Sequence, residues 1–381
     1  MLQKSPLFIP TGPPNPKKCV CRNPIIGILL SLTLNLLGPD SAVCASQPRS
    51  ALKLEDIPFK IVYETYRRTD RKYNWELFMI NADGSNPVNL TQTPYVDEMY
   101  PHVSPDGTKI CFVADERTRR GKVRNVYYMN IDGTKRLKVA HNARQPCWGP
   151  DSNTIAYLKA EFGRYTTKPY ATAELLFYDL KTATHRRHPN KDLHHIYAIC
   201  WSPDGNWFFA AVEGGMGYSD AIIAFQADGT KLFDLEWCGV KGCRPDISGD
   251  GKKMTWGETD WKLCVGDIDA TSGIPKISDI RGVVTCPHDL KLYYTDFSPD
   301  GNYIVFSRGP FRGAQQVAGK ARGWNICISD MTGNWIQVTT DGLHNKEPDW
   351  VPIPAQSPQP ATDNTEQRQQ LPERNPKDAL W

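Results

Sequence analysis

The stretch "HVSPDG" (His102 to Gly107) decides the fold, because variants of it return along the chain. Later copies read "CWGPDS", "CWSPDG", "DISGDG" and "DFSPDG", and a degraded sixth copy reads "EPDWVP". Successive copies lie 45 to 53 residues apart, a repeat length typical of a β-propeller rather than of a helical solenoid. Counted at the serine of the turn, the equivalent residues are Ser104, Gly149, Ser202, Ser248, Ser298 and Val351.

A second element lies between the turns and divides each repeat into four strands, named a to d. Apolar, β-branched runs that end in Asp-Gly, such as "NVYYMNIDGT" from Asn125, indicate strand c running into a hairpin turn. The S-P-D-G turn joins strands a and b, so its aspartates are predicted to be structural. The chain enters with strands b, c and d and leaves with a lone strand a. This predicts an all-β, six-bladed β-propeller of four-stranded blades, closed by the N- and C-terminal strands in one blade.

The turn and the strand that ends in Asp-Gly together resemble the propeller repeats of TolB, the periplasmic translocation protein. Related repeats occur in oligogalacturonate lyases and in the propellers of dipeptidyl-peptidase-type serine peptidases. The resemblance covers roughly residues 57–353 and implies the fold, whereas propellers carry many functions. About ten residues precede the first strand after the predicted cleavage site, and no G-x-S-x-G motif is present. We therefore expect a TolB-like propeller without the N-terminal domain of TolB and without a hydrolase domain.

The ends of the chain differ in composition from the repeats. A basic stretch, an apolar run at 25–37 and small residues before Ser46 predict a signal peptide over residues 1–45. Residues 46–56 are then a linker, 57–354 the propeller, and 355–381 a disordered tail rich in Pro, Gln and charge. These features predict an exported protein, periplasmic or extracellular, with no transmembrane span in the mature chain. An uncleaved signal that anchors the protein is the alternative.

The cysteines are candidates for disulfides because export favours pairing. Of eleven cysteines, eight follow the predicted cleavage site. Cys238 and Cys243 in "CGVKGC" are close enough in sequence for a local disulfide, and free thiols are the alternative. The other six lie in strand-like runs, where a buried free thiol acts as a small hydrophobic group.

The b–c connections vary in length and carry more Lys and Arg than Asp and Glu, although the whole chain has a net charge of only +3. Variable loops on one face of a propeller indicate its binding face. A positive rim with aromatic side chains predicts an anionic ligand, either an acidic protein segment or an anionic polysaccharide. Solvated loop tips are the alternative, and nucleic acid fits the charge but not the compartment. The candidate ligand-binding residues are Arg67, Arg68, Arg119, Arg120, Arg124, Arg164, Arg312, Arg322 and Trp324.

The residue two places before the serine of the turn changes from copy to copy among His, Cys and Asp. Because side chains alternate along a strand, the apolar residue after it is predicted to pack between blades and this residue to face the channel. Histidines also collect near the d–a connections. His, Cys and carboxylate groups together predict a divalent metal site, and a hydrogen-bonded channel interior is the alternative. The candidate ligands are His102, Cys147, His194, Asp246, Asp296 and Asp349.

These observations lead to two functional hypotheses. The first is an exported, monomeric propeller that binds a protein partner or an anionic glycan through its basic loop face. The second is a metal-dependent lyase or hydrolase of acidic polysaccharide that uses the channel metal. No side chain is identified as a catalytic base, and no cofactor other than the divalent metal is predicted.

Overall fold

The computed structural model describes residues 52–311 and 322–353. The predicted signal peptide, the C-terminal tail and Arg312 lie outside these residues. Within them the chain forms 24 strands and two short 3-10 helices, Leu54–Asp56 and Leu235–Cys238. In this part of the chain, no helix has both the length and the apolar character needed to cross a membrane.

The strands form six antiparallel four-stranded sheets, which confirms the predicted six-bladed propeller. The first strands (a) of neighbouring blades contact one another and therefore form the inner ring. Each of the following lists runs from blade 1, which begins at β4, to blade 6, which contains β24 and the first three strands of the chain. The a strands are β4 (Asp97–Val103), β8 (Ala143–Trp148), β12 (Ile196–Trp201), β16 (Cys243–Ile247), β20 (Leu290–Phe297) and β24 (His344–Val351). The b strands are β5 (Lys109–Thr118), β9 (Thr154–Ala160), β13 (Trp207–Glu213), β17 (Lys253–Thr259), β21 (Ile304–Pro310) and β1 (Lys60–Thr69). The c strands are β6 (Gly121–Asn130), β10 (Thr172–Asp179), β14 (Asp220–Gln226), β18 (Lys262–Asp269), β22 (Asn325–Ser329) and β2 (Lys72–Asn81). The d strands are β7 (Leu137–Ala140), β11 (Thr184–Arg187), β15 (Leu232–Asp234), β19 (Lys276–Thr285), β23 (Trp335–Gln337) and β3 (Val88–Asn89).

The repeated turn folds by a hydrogen-bond network of its own residues. The hydroxyl of Ser104 donates to Asp106 Oδ1 at 2.6 Å and accepts from the backbone N–H of Lys109 at 3.0 Å. Gly107 has a φ of +69°, and a Cβ there would lie 2.5 Å from the carbonyl oxygen of Pro352 in the neighbouring blade. Equivalent Ser-to-Asp bonds form in the turns of blades 3, 4 and 5. The aspartates of these turns are therefore structural, as predicted.

Apolar side chains on the inner strands hold neighbouring blades together. Six core clusters lie between the six pairs of adjacent blades, and each contains the residue directly before the serine of the turn. The indole of Trp148 also donates to the carbonyl of His102 in blade 1, at 2.9 Å. Alternation along the strand therefore places these residues between blades, as predicted. They are Val103, Trp148, Trp201, Ile247, Phe297 and Trp350.

Blade 6 joins the two ends of the described chain. Strand β24 pairs antiparallel with β1, so the last strand completes a sheet begun by the first three. Trp350 is buried, packs edge-on against Phe59, and donates from its indole to the carbonyl of Asp296 in blade 5 at 3.2 Å. Closure of the ring by the terminal strands is thereby confirmed.

Cys238 and Cys243 do not form the predicted disulfide; all eight described cysteines are free thiols. Cys238 ends a 3-10 helix, where its thiol donates to the carbonyl of Leu235 at 3.2 Å and accepts from the N–H of Ile277. Cys243 begins β16, where its sulfur accepts from the guanidinium of Arg244 at 3.1 Å. The intervening turn directs the two sulfurs into different surroundings.

Candidate functional site

The channel has two ends with different chemistry. The a–b and c–d turns lie on one face of the ring, here called the turn face, and the b–c and d–a connections lie on the other, the loop face. At the turn face a cavity of about 450 Å³ opens between the inner strands. This turn-side cavity is lined by all six residues that stand two places before the serine position: His102, Cys147, Cys200, Asp246, Asp296 and Asp349.

Three of the predicted metal ligands converge in this cavity. One side-chain donor atom from each of His102, Asp296 and Asp349 lies within 4.8 Å of the other two. The His102 Nδ1 atom is 3.3 Å from Asp349 Oδ2. An imidazole and two carboxylates are donors that suit a divalent transition metal, so the residues fit the ion that the sequence predicts.

Two aspartates of the turn-side cavity also bond to backbone groups of neighbouring blades. Asp246 accepts from the N–H of Phe297 in the next blade at 2.9 Å, and Asp349 accepts from the N–H of Val103 at 2.9 Å. These bonds tie neighbouring inner strands together. Burial raises the pKa of Asp246 to about 7. Burial and the carboxylates of Asp246 and Asp349 raise the pKa of Asp296 well above its usual range.

His194, another of the candidate ligands, does not join this cluster. It lies just before β12, on the loop face, whereas Cys200 of the same strand lines the cavity near the other end. Six residues of extended chain separate the two levels by roughly 20 Å. His194 Nδ1 lies 2.7 Å from the carbonyl of Asp192, and its Nε2 accepts from the N–H of Met216 at 3.1 Å.

A second layer of side chains fills the channel two residues deeper along each inner strand. The inner strands carry a β-bulge there, and the bulge residue has a positive φ of 48° to 56° although none is glycine. Gln145 Oε1 accepts from the N–H of Ala198 at 2.8 Å, and Arg244 donates to the hydroxyl of Tyr293 at 2.7 Å. The sequence contains no glycine at these positions that would indicate the bulges. The six bulge residues are Tyr100, Gln145, Ala198, Arg244, Tyr294 and Glu347.

On the loop face, three of the predicted ligand-binding residues are already committed to other contacts. Arg124 is buried and forms a two-bond ion pair with Asp115, at 2.7 and 2.9 Å, directly across the β5–β6 hairpin. Arg67 pairs with Asp341 at 3.0 Å, and its guanidinium lies 3.9 Å above the ring of Phe78. Trp324 is 1% exposed and packs against the backbone of blade 5. Trp324 is therefore a core residue, whereas Arg124, although buried and paired with Asp115, also lines the pocket described below.

The other described candidates are exposed at the loop face. They are spread over four b–c connections, with Arg119 and Arg120 in the same one, and Arg164 lies over the ring of Phe162 at 5.7 Å. The structure therefore shows a dispersed positive charge on this face and does not gather these arginines around a cavity. The exposed residues are Arg68, Arg119, Arg120, Arg164 and Arg322.

A pocket of about 460 Å³ lies on the loop face where blades 6, 1 and 2 meet. We call it the aromatic pocket. Tyr73 and Tyr95 stand at its rim with 54% and 67% of their surface exposed. Tyr66 stacks on Tyr73 at 5.8 Å and packs against Trp75 at 5.4 Å, which supports the rim from behind. The full lining is Glu64, Tyr66, Lys72, Tyr73, Asn74, Trp75, Pro94, Tyr95, Asp97, Met99, Tyr100, Asp115, Arg117, Lys122, Arg124, Tyr165 and Thr167.

Two cations of the aromatic pocket have no acidic partner in the described part of the chain. Lys72 lies over the ring of Tyr95 at 4.3 Å, and Arg117 is exposed on β5. Of the three acids deeper in the pocket, Asp97 pairs with Lys122 at 2.6 Å and Asp115 pairs with Arg124, while buried Glu64 accepts from the N–H of Tyr100 at 2.9 Å. Lys72, Tyr95 and Arg117 are not among the candidate ligand-binding residues, although Lys72 and Arg117 belong to the basic b–c connections. Tyr95 lies in a d–a connection, whereas the binding face is predicted from the variable lengths of the b–c connections alone.

Comparison with known proteins supports the fold. The sequence matches no family model and no curated protein. Among solved structures, TolB from Acinetobacter baumannii superposes with a TM-score of 0.57 at 19% identity, over 77% of this chain and 67% of that chain. The fold is a TolB-like β-propeller. A chain of the nidogen/laminin complex (TM-score 0.53, 7% identity, 77% of this chain and 98% of that one) has the same architecture. So does hydrazine synthase of Kuenenia stuttgartiensis (TM-score 0.52, 13% identity, 77% and 46%).

Proposed function

We propose that this chain is an exported binding module that takes an acidic segment of a partner protein in the aromatic pocket. The observation that carries the proposal is the pairing of exposed aromatic rings, Tyr73 and Tyr95, with the unpaired cations Lys72 and Arg117 around one concave surface. A pocket of this size lies within the range of ligand-binding clefts.

The residue types at the rim favour a protein partner. Tyr, Trp and Arg are enriched among the residues that carry most of the binding energy in protein interfaces, and Tyr and Trp offer large contact areas with few rotatable bonds. The stacking of Tyr66 behind Tyr73 holds the rim in place before a ligand arrives, which reduces the entropy lost on binding. One solved structure with this fold, the nidogen/laminin complex, was determined as a protein complex.

Electrostatics favours an acidic segment. The carboxylates of Asp97 and Asp115 are neutralised by Lys122 and Arg124, so Lys72 and Arg117 remain to attract negative charge. Cations near exposed aromatic rings raise the association rate of acidic ligands, and salt weakens this attraction. The dispersed arginines of the loop face add to the long-range field.

A second candidate, the metal-dependent lyase or hydrolase of acidic polysaccharide, is favoured by the convergence of His102, Asp296 and Asp349. The described lining of the turn-side cavity contains no Lys or Arg that could neutralise a substrate carboxylate. For this reason the binding module is the better-supported function. Unsaturated or reducing-end products from acidic oligosaccharides, formed only with added Mn²⁺ or Zn²⁺ and lost in Asp296→Asn, would reverse this order.

The test is selection of binding peptides from a random displayed library, followed by affinity measurement with the selected peptides. We expect enrichment of acidic sequences and dissociation constants that rise with salt. Tyr73→Ala and Lys72→Ala should each weaken binding about tenfold. The matched controls Trp237→Ala and Lys252→Ala remove an exposed aromatic ring and an exposed cation outside the pocket and should leave the affinity unchanged.

Two results would contradict the proposal. If peptides bind equally well to the Tyr73 and Lys72 variants, the aromatic pocket is not the site. If acidic oligosaccharides bind, lose affinity in the same two variants, and no peptide does so, the ligand is an anionic glycan rather than a protein.

A further inference from the structure

The turn-side cavity brings together donors from three separate blades. His102 lies on β4 of blade 1, Asp296 on β20 of blade 5, and Asp349 on β24 of blade 6. The closing strand β24 therefore supplies one residue of a cluster that joins blade 6 to blades 1 and 5. Within residues 52–311 and 322–353, this is the one place where three such donor atoms meet so closely.

The donor residues are already held in position by the fold. The His102 carbonyl accepts from the Trp148 indole at 2.9 Å, and the Asp296 carbonyl accepts from the Trp350 indole at 3.2 Å. The Asp349 carboxylate accepts from the N–H of Val103 at 2.9 Å. The bond to the Asp349 carboxylate orients that side chain, whereas the two indole bonds fix the backbone of the strands that carry His102 and Asp296.

The charge of the cavity also favours a cation. Asp246 joins Asp296 and Asp349 in the lining, and the described lining residues include no Lys or Arg. Cys147 is 3% exposed, lines the same cavity, and has no hydrogen-bond partner in the described structure. Buried carboxylates without a protein cation retain protons or bind a metal ion.

We propose that His102, Asp296 and Asp349 bind one divalent transition-metal ion, of the Zn²⁺ or Mn²⁺ class, and that this ion fastens the closing strand β24 to blades 1 and 5. The mixed nitrogen and oxygen donor set separates this class from Ca²⁺ and Mg²⁺, which prefer oxygen ligands alone. An ion bound to the closed ring and not to the unfolded chain shifts the folding equilibrium toward the closed ring.

This site is independent of the binding function proposed above. It lies at the turn face, whereas the aromatic pocket lies at the loop face, and the two share no lining residue. Loss of one activity in its own variants therefore says nothing about the other.

The experiment uses the full mature protein, stripped with a chelator and dialysed, then titrated with ZnSO₄, MnCl₂, CaCl₂ and MgCl₂ in separate calorimetric runs. We expect one Zn²⁺ or Mn²⁺ per chain, confirmed by elemental mass spectrometry after gel filtration. Thermal unfolding should shift upward by roughly 5 °C with the ion in large excess. Asp296→Asn and His102→Ala should lower the affinity at least tenfold and remove most of the thermal shift.

Matched controls make the same chemical changes outside the cavity. Asp228→Asn and His141→Ala alter exposed residues and should keep both the affinity and the thermal shift. The unfolding midpoints of the metal-free variants show whether the fold survives, so a folding defect is not mistaken for a lost ligand. Absence of stoichiometric binding of either transition metal would overturn the proposal. Binding that persists in both cavity variants, or that is stronger for Ca²⁺ or Mg²⁺, would overturn it as well.

Discussion

Replacing Trp350 by alanine tests how the ring is closed. Trp350 is 2% exposed, packs in the core between blades 5 and 6, and donates to the carbonyl of Asp296. A buried tryptophan removes roughly 200 Å² from water, and at about 25 cal/mol per Å² this corresponds to about 5 kcal/mol. Measured truncations of buried aromatic residues cost about 3–5 kcal/mol, so we expect a loss of about 4 kcal/mol.

The assay is urea denaturation followed by circular dichroism and tryptophan fluorescence, with coincidence of the two curves as the check of two-state behaviour. Trp237→Ala is the control, because Trp237 is 57% exposed and its removal should change the free energy of unfolding by less than about 0.5 kcal/mol. Trp148→Ala is the comparator. The indole of Trp148 makes the equivalent bond to the carbonyl of His102 between two interior blades. Trp148→Ala should therefore lower the free energy of unfolding by a similar amount to Trp350→Ala.

One combination of results would refute this reasoning. If the contacts of Trp350 did not hold the junction, Trp350→Ala would lose less than about 1 kcal/mol while Trp148→Ala lost about 3 kcal/mol or more. The closing blade would then not be held by the inner-strand contact that holds the interior blades.

Two further predictions concern buried ionisable groups. Asp115→Asn should lower the free energy of unfolding by about 3–5 kcal/mol, because it leaves Arg124 buried without its partner. The double variant Asp115→Leu/Arg124→Met removes both charges and should lose clearly less. Equal losses of the two variants in urea denaturation would contradict this. Burial, and then the charge of Lys346, lowers the pKa of His344 to about 3. The imidazole stays neutral in the folded protein, whereas in the unfolded chain, where its pKa is near 6.5, it binds a proton. The free energy of unfolding therefore falls as the pH drops below about 6.5. His344→Phe should therefore remove up to about 2 kcal/mol of the stability loss between about pH 6.5 and 4.5, and an unchanged pH slope would count against it.

The features predicted correctly from the sequence are those set by neighbouring residues. The turn is closed by residues within five positions, as the bonds of Ser104 to Asp106 and Lys109 show, so its sequence signature is complete. The period of two along an extended strand then separates Trp350, which packs between blades, from Asp349, which faces the channel. The number of blades and their closure follow from counting these units.

The features that sequence reasoning misses depend on residues far apart or on backbone conformations without a sequence signature. The bulge at Tyr100 has a positive φ at a bulky residue, which the channel layer around it holds in place. The assignment of His194 to the metal cluster rests on its closeness to an inner strand in sequence, although it lies at the opposite end of that strand. The sequence does indicate the pairing of Arg124, because Asp115 and Arg124 are equally far from the hairpin turn at 118–121. Residues at equal distances from such a turn face each other across the hairpin.

The geometry of the inner strand explains how one fold can carry two chemically different ends. At the turn face, the hydrogen-bonded turn fixes the register of each inner strand, so the residue two places before it always reaches the same level of the channel. His102, Asp296 and Asp349 converge for this reason, and substitutions there change the donor set without changing the blade. At the loop face, the β1–β2 and β5–β6 hairpins extend beyond the inner strands and build the aromatic pocket from their arms. The bulge layer separates the two ends, so each can vary independently of the other.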